Sequence, residues 1–75
     1  MLILTQNEEA FFDTEKFLGI VAETNDEGHG VVYIDGYDGV TMCLGEYKDF
    51  DRAREIVKEL FATIDCMSRY SMPII

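Results

Sequence analysis

The longest regular pattern of apolar and polar positions runs through residues 49–66. Apolar residues recur there at helical spacing, and charged residues occupy the opposite side. Asp49 precedes the first turn and can cap it, because its carboxylate can accept the free backbone N–H groups. The pattern predicts an amphipathic helix with one buried stripe, formed by Ala53, Ile56, Val57, Leu60, Phe61 and Ile64.

Short apolar segments separated by polar turns precede this helix, and each predicts a strand. The second segment is expected to complete a hairpin with the first. Gly19 interrupts the third segment and indicates either a bulge or a ring packed over bare backbone. These strands are expected over residues 1–6, 10–12, 17–24, 31–34 and 40–44.

Side-chain alternation predicts which strand residues face the core. Leu18, Ile20 and Ala22 share one face of the third strand, and Phe17 and Val21 share the other. In the fifth strand the residues expected to face the core are Val40, Met42 and Leu44. The second face of the sheet would then carry Phe17, Val21 and Tyr47, an apolar surplus that indicates strong curling or an oligomer interface.

These elements predict one α+β domain, a curled antiparallel sheet of four to five strands with one C-terminal amphipathic helix packed on one face. The expected organisation is a sheet over residues 1–47, the helix over 49–66 and an extended tail over 67–75. The tail ends in Met-Pro-Ile-Ile, whose apolar side chains should not stay in water. Two alternatives remain for them, docking on their own domain or forming an oligomer interface through Met72, Ile74 and Ile75.

Charge is the most unusual feature of the composition. The chain has 15 acidic and 6 basic residues, a formal net charge of −9. Residues 1–45 contain nine acidic residues and one basic residue, whereas residues 46–75 contain six acidic and five basic residues. This field repels nucleic acid and anionic membrane and attracts basic partners. Solubility alone is the competing explanation.

Several classes of function have no supporting motif. Cys43 and Cys66 show no zinc spacing and predict free thiols in a reducing compartment, so we expect a cytoplasmic protein. The opening Met-Leu-Ile-Leu is too short for a signal sequence or a membrane span. The basic residues of the helix alternate with acids, which predicts a solvated face instead of a nucleic-acid surface.

Candidate chemistry is sparse. His29 is the only histidine, and no Ser, Cys or second His is placed near it by local spacing. The acidic turns 25–28 and 35–39 do not match a calcium-loop pattern. No pair of carboxylates can be selected for hydrolysis among 15 acids. We therefore expect no enzyme activity, no cofactor and no metal.

The surface tyrosines are better candidates for a functional site than the histidine or the acidic turns. Tyr37 lies in a turn between Asp35 and Asp38, where it could anchor a basic partner surface or pack back over the hairpin. The candidate partner-binding residues are Asp26, Glu27, Asp35, Tyr37 and Asp38.

Three segments carry a resemblance to known sequences: MLILTQN at the start, LGEYKDFDRAREIVKELF, and the Tyr-x-Met-Pro of residues 70–73. Together they resemble a group of short uncharacterised proteins from Gram-positive bacteria and their phages or integrated elements. Residues 7–40 depart freely from that group. The resemblance implies a mobile-element context and carries no catalytic residues.

Two hypotheses follow. The first is a non-enzymatic interaction module, a phage or mobile-element inhibitor that binds a basic surface on a nucleic-acid-binding or defence protein. The second is a structural homo-oligomer, such as a homodimer, joined through the uncovered sheet face or the tail. Neither involves direct contact with nucleic acid or membrane.

Overall fold

The computed structural model describes all 75 residues, Met1–Ile75. It contains one α-helix, α1 (Phe50–Thr63), and a single turn of 3-10 helix at Thr14–Lys16. There are six strands, which together with α1 make an α+β fold. In chain order the elements are β1 (Leu2–Leu4), β2 (Phe11–Asp13), β3 (Phe17–Thr24), β4 (Gly30–Gly36), β5 (Thr41–Tyr47), α1 (Phe50–Thr63) and β6 (Arg69–Ser71).

The strands form two separate three-stranded sheets, so the prediction of one curled sheet of four to five strands is wrong. The larger sheet has the antiparallel order β3-β4-β5. In the smaller sheet β1 pairs antiparallel with β2, as predicted, and parallel with β6. Because β6 occupies the second edge of β1 and the Thr14–Lys16 turn redirects the chain after β2, the first hairpin does not extend the larger sheet. Neither sheet is curled.

The helix forms where the sequence predicts it, with shorter bounds than 49–66. Asp49 is the N-cap, and its carboxylate accepts the Arg52 backbone N–H at 2.9 Å. The backbone N–H groups of Cys66 and Met67 both return to the Thr63 carbonyl, which ends the helix in a turn. The helix is not C-terminal, because β6 follows it and pairs with β1 inside the predicted tail.

One core joins both sheets to the helix. Ile3 and Tyr70 enter it from the smaller sheet, and Val32 and Ile34 enter it from β4. The helix contributes Ala53, Ile56 and Leu60, which confirms half of the predicted stripe. The remaining members are Leu44, Tyr47 and Met72.

Two register shifts change which side chains reach this core. The β3–β4 register shifts between Phe17 and Gly19, which confirms the irregularity that Gly19 indicates. Phe17 consequently packs against the core, and Leu18 is exposed, the reverse of the predicted alternation. A second shift leaves Leu44 without a partner between Cys43 and Gly45.

The shift in β5 also corrects the predicted faces there. Leu44 is buried as expected, but Val40 and Met42 are exposed. Tyr47 lies opposite Gly30 and is buried in the core, so it is not on the outer face. Of the three residues expected on that face, only Val21 stays outside the core, beside Tyr33.

Candidate functional site

The predicted partner-binding residues fall into two groups at opposite ends of β4. Asp26 and Glu27 lie in the loop before β4, and Tyr37 and Asp38 lie in the turn after it. Strand β4 has seven residues, so the two groups are separated by roughly 20 Å. The structure does not bring all five residues into one site.

The turn between β4 and β5 is held by its own carboxylates. Asp38 accepts the Val40 backbone N–H at 3.0 Å, and Asp35 accepts the Thr41 hydroxyl at 3.0 Å. Tyr37 is 73% exposed, so its ring does not pack back over the hairpin. This end of the sheet presents one free aromatic ring between two carboxylates.

The loop between β3 and β4 places His29 beside a carboxylate that local spacing does not reveal. The Asn25 side-chain oxygen accepts the backbone N–H groups of Glu27 and His29, which fixes the loop. His29 Nδ1 lies 2.6 Å from Glu46 Oε2, and both side chains are nearly half exposed. The signal that could have found this pair is the β4–β5 register, which the sequence leaves open.

The His29–Glu46 pair opens onto a cleft of about 480 Å³ with both charged and apolar lining residues. Lys48 and Arg52 supply two positive charges to its wall, and Tyr47 and the tail supply the rest. The lining contains no Ser, Thr or Cys side chain that the histidine could activate. The cleft therefore offers mixed charge, hydrogen-bonding groups and an apolar surface.

The tail is fixed to this cleft by main-chain contacts. The Tyr47 hydroxyl donates to the Pro73 carbonyl at 2.8 Å, and Arg52 donates to the Ile75 carbonyl at 2.9 Å. Gln6 donates to the Ile74 carbonyl and accepts the Glu46 N–H, both at 2.8 Å. Sequence reasoning missed Gln6, because an isolated amide carries no local pattern.

The three residues predicted to form an oligomer interface differ in burial, since one is buried and two are exposed. Met72 is only 2% exposed and belongs to the core of its own chain, so it is not available to a second copy. Ile74 and Ile75 have docked backbones but exposed side chains. The structure therefore favours docking for the first part of the tail and leaves two apolar side chains at the surface.

Packing of the core raises the pKa of two tyrosine side chains, Tyr47 and Tyr70. Burial raises the pKa of Tyr47 from about 10 to about 12, against the opposing effect of the Arg52 guanidinium. Burial, together with the 2.9 Å hydrogen bond to Glu59, also raises the pKa of Tyr70. Both groups are held neutral and act as hydrogen-bond donors.

An apolar groove of about 250 Å³ runs between α1 and β3, and we call it the β3 groove. Leu18 forms one wall and is 67% exposed, and Phe61 forms the other and is 85% exposed. The sequence placed Phe61 and Ile64 in the buried stripe, but both are exposed at the groove. The remaining lining residues are Thr14, Phe17, Gly19, Ile20, Ile34, Val57 and Leu60.

The β3 groove is bordered by an unpaired strand edge. Strand β3 is the outer strand of its sheet and has only β4 as a neighbour. The Asn25 N–H donates to the His29 carbonyl, and antiparallel pairs alternate between bonded and non-bonded from that point. The alternation turns the N–H and C=O groups of Ile20, Ala22 and Thr24 toward the free edge.

Other features of the surface are less developed as sites. The outer face of the smaller sheet exposes Phe11 beside Leu2 and Leu4. No group of three His, Cys, Asp or Glu side chains is arranged to hold a metal ion. The single α-helix is neither long nor apolar enough to cross a membrane.

Comparisons of this chain with protein-family models, with curated proteins and with solved structures find no match. Any assignment of function therefore depends on the surfaces described above.

Proposed function

We propose that this protein is a non-enzymatic interaction module that binds a protein partner through a basic surface of that partner. The observation that carries the proposal is the number of acidic groups without a basic neighbour. Only two of the 15 acidic side chains, Glu46 and Glu55, lie within ion-pair distance of a basic group. The partner of Glu46 is a histidine, and the Arg52–Glu55 contact is a loose 3.8 Å.

Unpaired carboxylates of this number create a field that steers and holds a cationic surface. A narrower form of the proposal adds the phage or mobile-element context that the sequence resemblance implies. In that form, the module inhibits a nucleic-acid-binding or defence protein by covering its basic surface. The two free cysteines, Cys43 and Cys66, support the cytoplasm as the compartment.

The proposal is tested by capture from a host lysate with elution in a salt gradient and identification by mass spectrometry. A partner held by charge elutes at moderate salt, because added salt shortens the Debye length from about 8 Å at physiological ionic strength to about 3 Å at 1 M and so screens exposed ion pairs. Retention that is unchanged at high salt would contradict the proposal.

Matched variants show which end of the larger sheet the partner contacts. Asp26→Asn with Glu27→Gln removes two charges at one end, and Asp35→Asn with Asp38→Asn removes two at the other. The amide oxygens of the second pair can still accept the hydrogen bonds that hold the turn. The double substitution that lowers the salt concentration at which the partner elutes identifies the residues at the contact surface.

The alternative function is a structural homo-oligomer, for which the exposed Ile74 and Ile75 side chains are the supporting observation. Replacing both residues by Ser leaves the buried Met72 in place. A fall in the mass measured by sedimentation equilibrium would support the alternative. A monomeric wild-type protein would rule it out.

A further inference from the structure

The free edge of β3 determines the form of ligand that can bind beside it. Ile20, Ala22 and Thr24 offer outward N–H and C=O groups along this edge. Such a row is satisfied by another extended chain, because strand addition pairs main-chain groups on both sides. A helix has no main-chain groups left to pair with it.

The β3 groove determines which side chains that extended chain should carry. Its lining is apolar apart from Thr14, and a volume of about 250 Å³ is below the range of about 300–1,000 Å³ typical of small-molecule pockets. It suits a few apolar side chains projecting from one face of a strand. The exposed ring of Phe61 and the exposed Leu18 side chain would be covered when such side chains enter.

Charge determines which side chains suit the outward face of the added strand. Val21 and Glu23 point away from the helix, and Glu23 forms no ion pair. An added strand would place its outward side chains about 5 Å from these, where opposite charges attract. A second copy of the chain is a poor occupant, because it brings another net charge of −9.

We infer that the β3 groove binds an extended segment of a partner protein, added as a fourth strand beside β3, with apolar side chains facing α1 and basic side chains facing outward. The inference rests on the proposed function, since it assigns the docking site and chemical pattern of the basic partner. Apolar contacts in the groove supply affinity that salt does not screen, and the unpaired carboxylates supply orientation.

The test uses the full chain and a fluorescent eight-residue peptide of alternating lysine and valine, with binding followed by polarisation. A second peptide has the same composition with the lysines and valines in two blocks. Two further peptides carry N-methyl groups on alternate backbone amides, one on the odd-numbered and one on the even-numbered residues. In one of the two, called the blocked frame, the methyl groups replace the N–H groups that would pair with β3. We expect the alternating peptide to bind at least about tenfold more tightly than the block peptide and the blocked frame.

The variants locate the site without changing charge. Leu18→Thr and Phe61→Gln remove apolar walls of the β3 groove. Phe11→Thr is the matched control, because Phe11 is 67% exposed like Leu18 and lies on the smaller sheet. We expect severalfold weaker binding for the two groove variants and none of that loss for the control.

The outcomes separate this inference from the proposed function. Equal binding of the alternating and block peptides, or equal binding to wild type and both groove variants, overturns the groove assignment. If the peptides nevertheless bind at low salt and dissociate at high salt, the proposed function is supported, and the basic partner binds to a surface other than the β3 groove. If no basic peptide binds even at low salt, both proposals fail.

Discussion

Leu18 on β3 and Phe61 on α1 lie on the two walls of one groove and are 67% and 85% exposed. Their sequence patterns assign both side chains to the core. The register shift at Gly19 turns Leu18 outward, and Phe61 lies on an exposed part of the helix surface. A thin domain thus leaves apolar residues beside an unpaired strand, which is a geometry suited to strand addition.

Two adjacent helix residues should differ sharply when truncated. Leu60→Ala removes a side chain that is 2% exposed and should lower the free energy of unfolding by about 2–5 kcal/mol. Phe61→Ala should change it by no more than about 0.5 kcal/mol, because the ring is already in solvent. Urea denaturation measures both values. Comparable losses would mean that the helix is rotated from the orientation described.

Two glycines provide a similar contrast. A methyl group at Gly30 would collide with the Asp49 carbonyl and lie 2.9 Å from the Ala53 Cβ, so Gly30→Ala should cost about 1–3 kcal/mol. Nothing lies within 4 Å of the corresponding position at Gly19. Gly19→Ala should leave stability unchanged or raise it by up to about 1 kcal/mol. Thermal unfolding of the two variants checks the close approach of β4 to the start of α1.

The Tyr47 hydroxyl should control how firmly the tail is held. Tyr47→Phe removes the hydrogen bond to the Pro73 carbonyl and should lower stability by about 1 kcal/mol. Hydrogen exchange in the tail should accelerate more than exchange in β4. Tyr37→Phe is the control, since that hydroxyl is at an exposed turn and its loss should have no effect. Equal effects of the two substitutions would mean that the Tyr47 hydroxyl does not hold the tail.

Stability should fall in alkaline solution because of the buried phenols. The pKa of Tyr47 rises from about 10 to about 12 on folding, and that of Tyr70 also rises. The folded state therefore favours the neutral phenol, so this stability is complete below pH 10 and is lost as the pH increases through about 12. Denaturation midpoints across that window measure the loss. The slope should be shallower in Tyr47→Phe, and an unchanged slope would contradict the assignment to Tyr47.

Local patterns predict much of this fold. The strand β3 has the predicted bounds, the first hairpin forms, and Asp49 caps the helix. These features depend on residues within a few positions of one another, where alternation, turn chemistry and capping act. The parallel pairing of β1 with β6 joins the two ends of the chain, and no local pattern encodes it.

The candidate sites were less accessible from sequence for the same reason. The His29–Glu46 pair depends on the β4–β5 register, which the acidic turn 35–39 leaves undetermined in the sequence, and the contacts of Gln6 depend on how the end of β1 packs against β5 and the tail. A register shift of one residue reverses every side chain beyond it. Asp26, Glu27 and Asp38 are exposed and Asp35 is partly buried, and the turns that carry them flank β4 along the chain, which places them at its two ends.

The most direct test of strand addition at β3 is to map where the alternating lysine–valine peptide binds, from backbone amide NMR shifts of the full chain. Strand addition at β3 should give the largest changes in residues 18–24 of β3 and residues 57–63 of α1, with slow hydrogen exchange appearing at the amides of Ile20, Ala22 and Thr24. Changes confined to the Tyr37 turn or to the Phe11 face, with β3 unaffected, would contradict it.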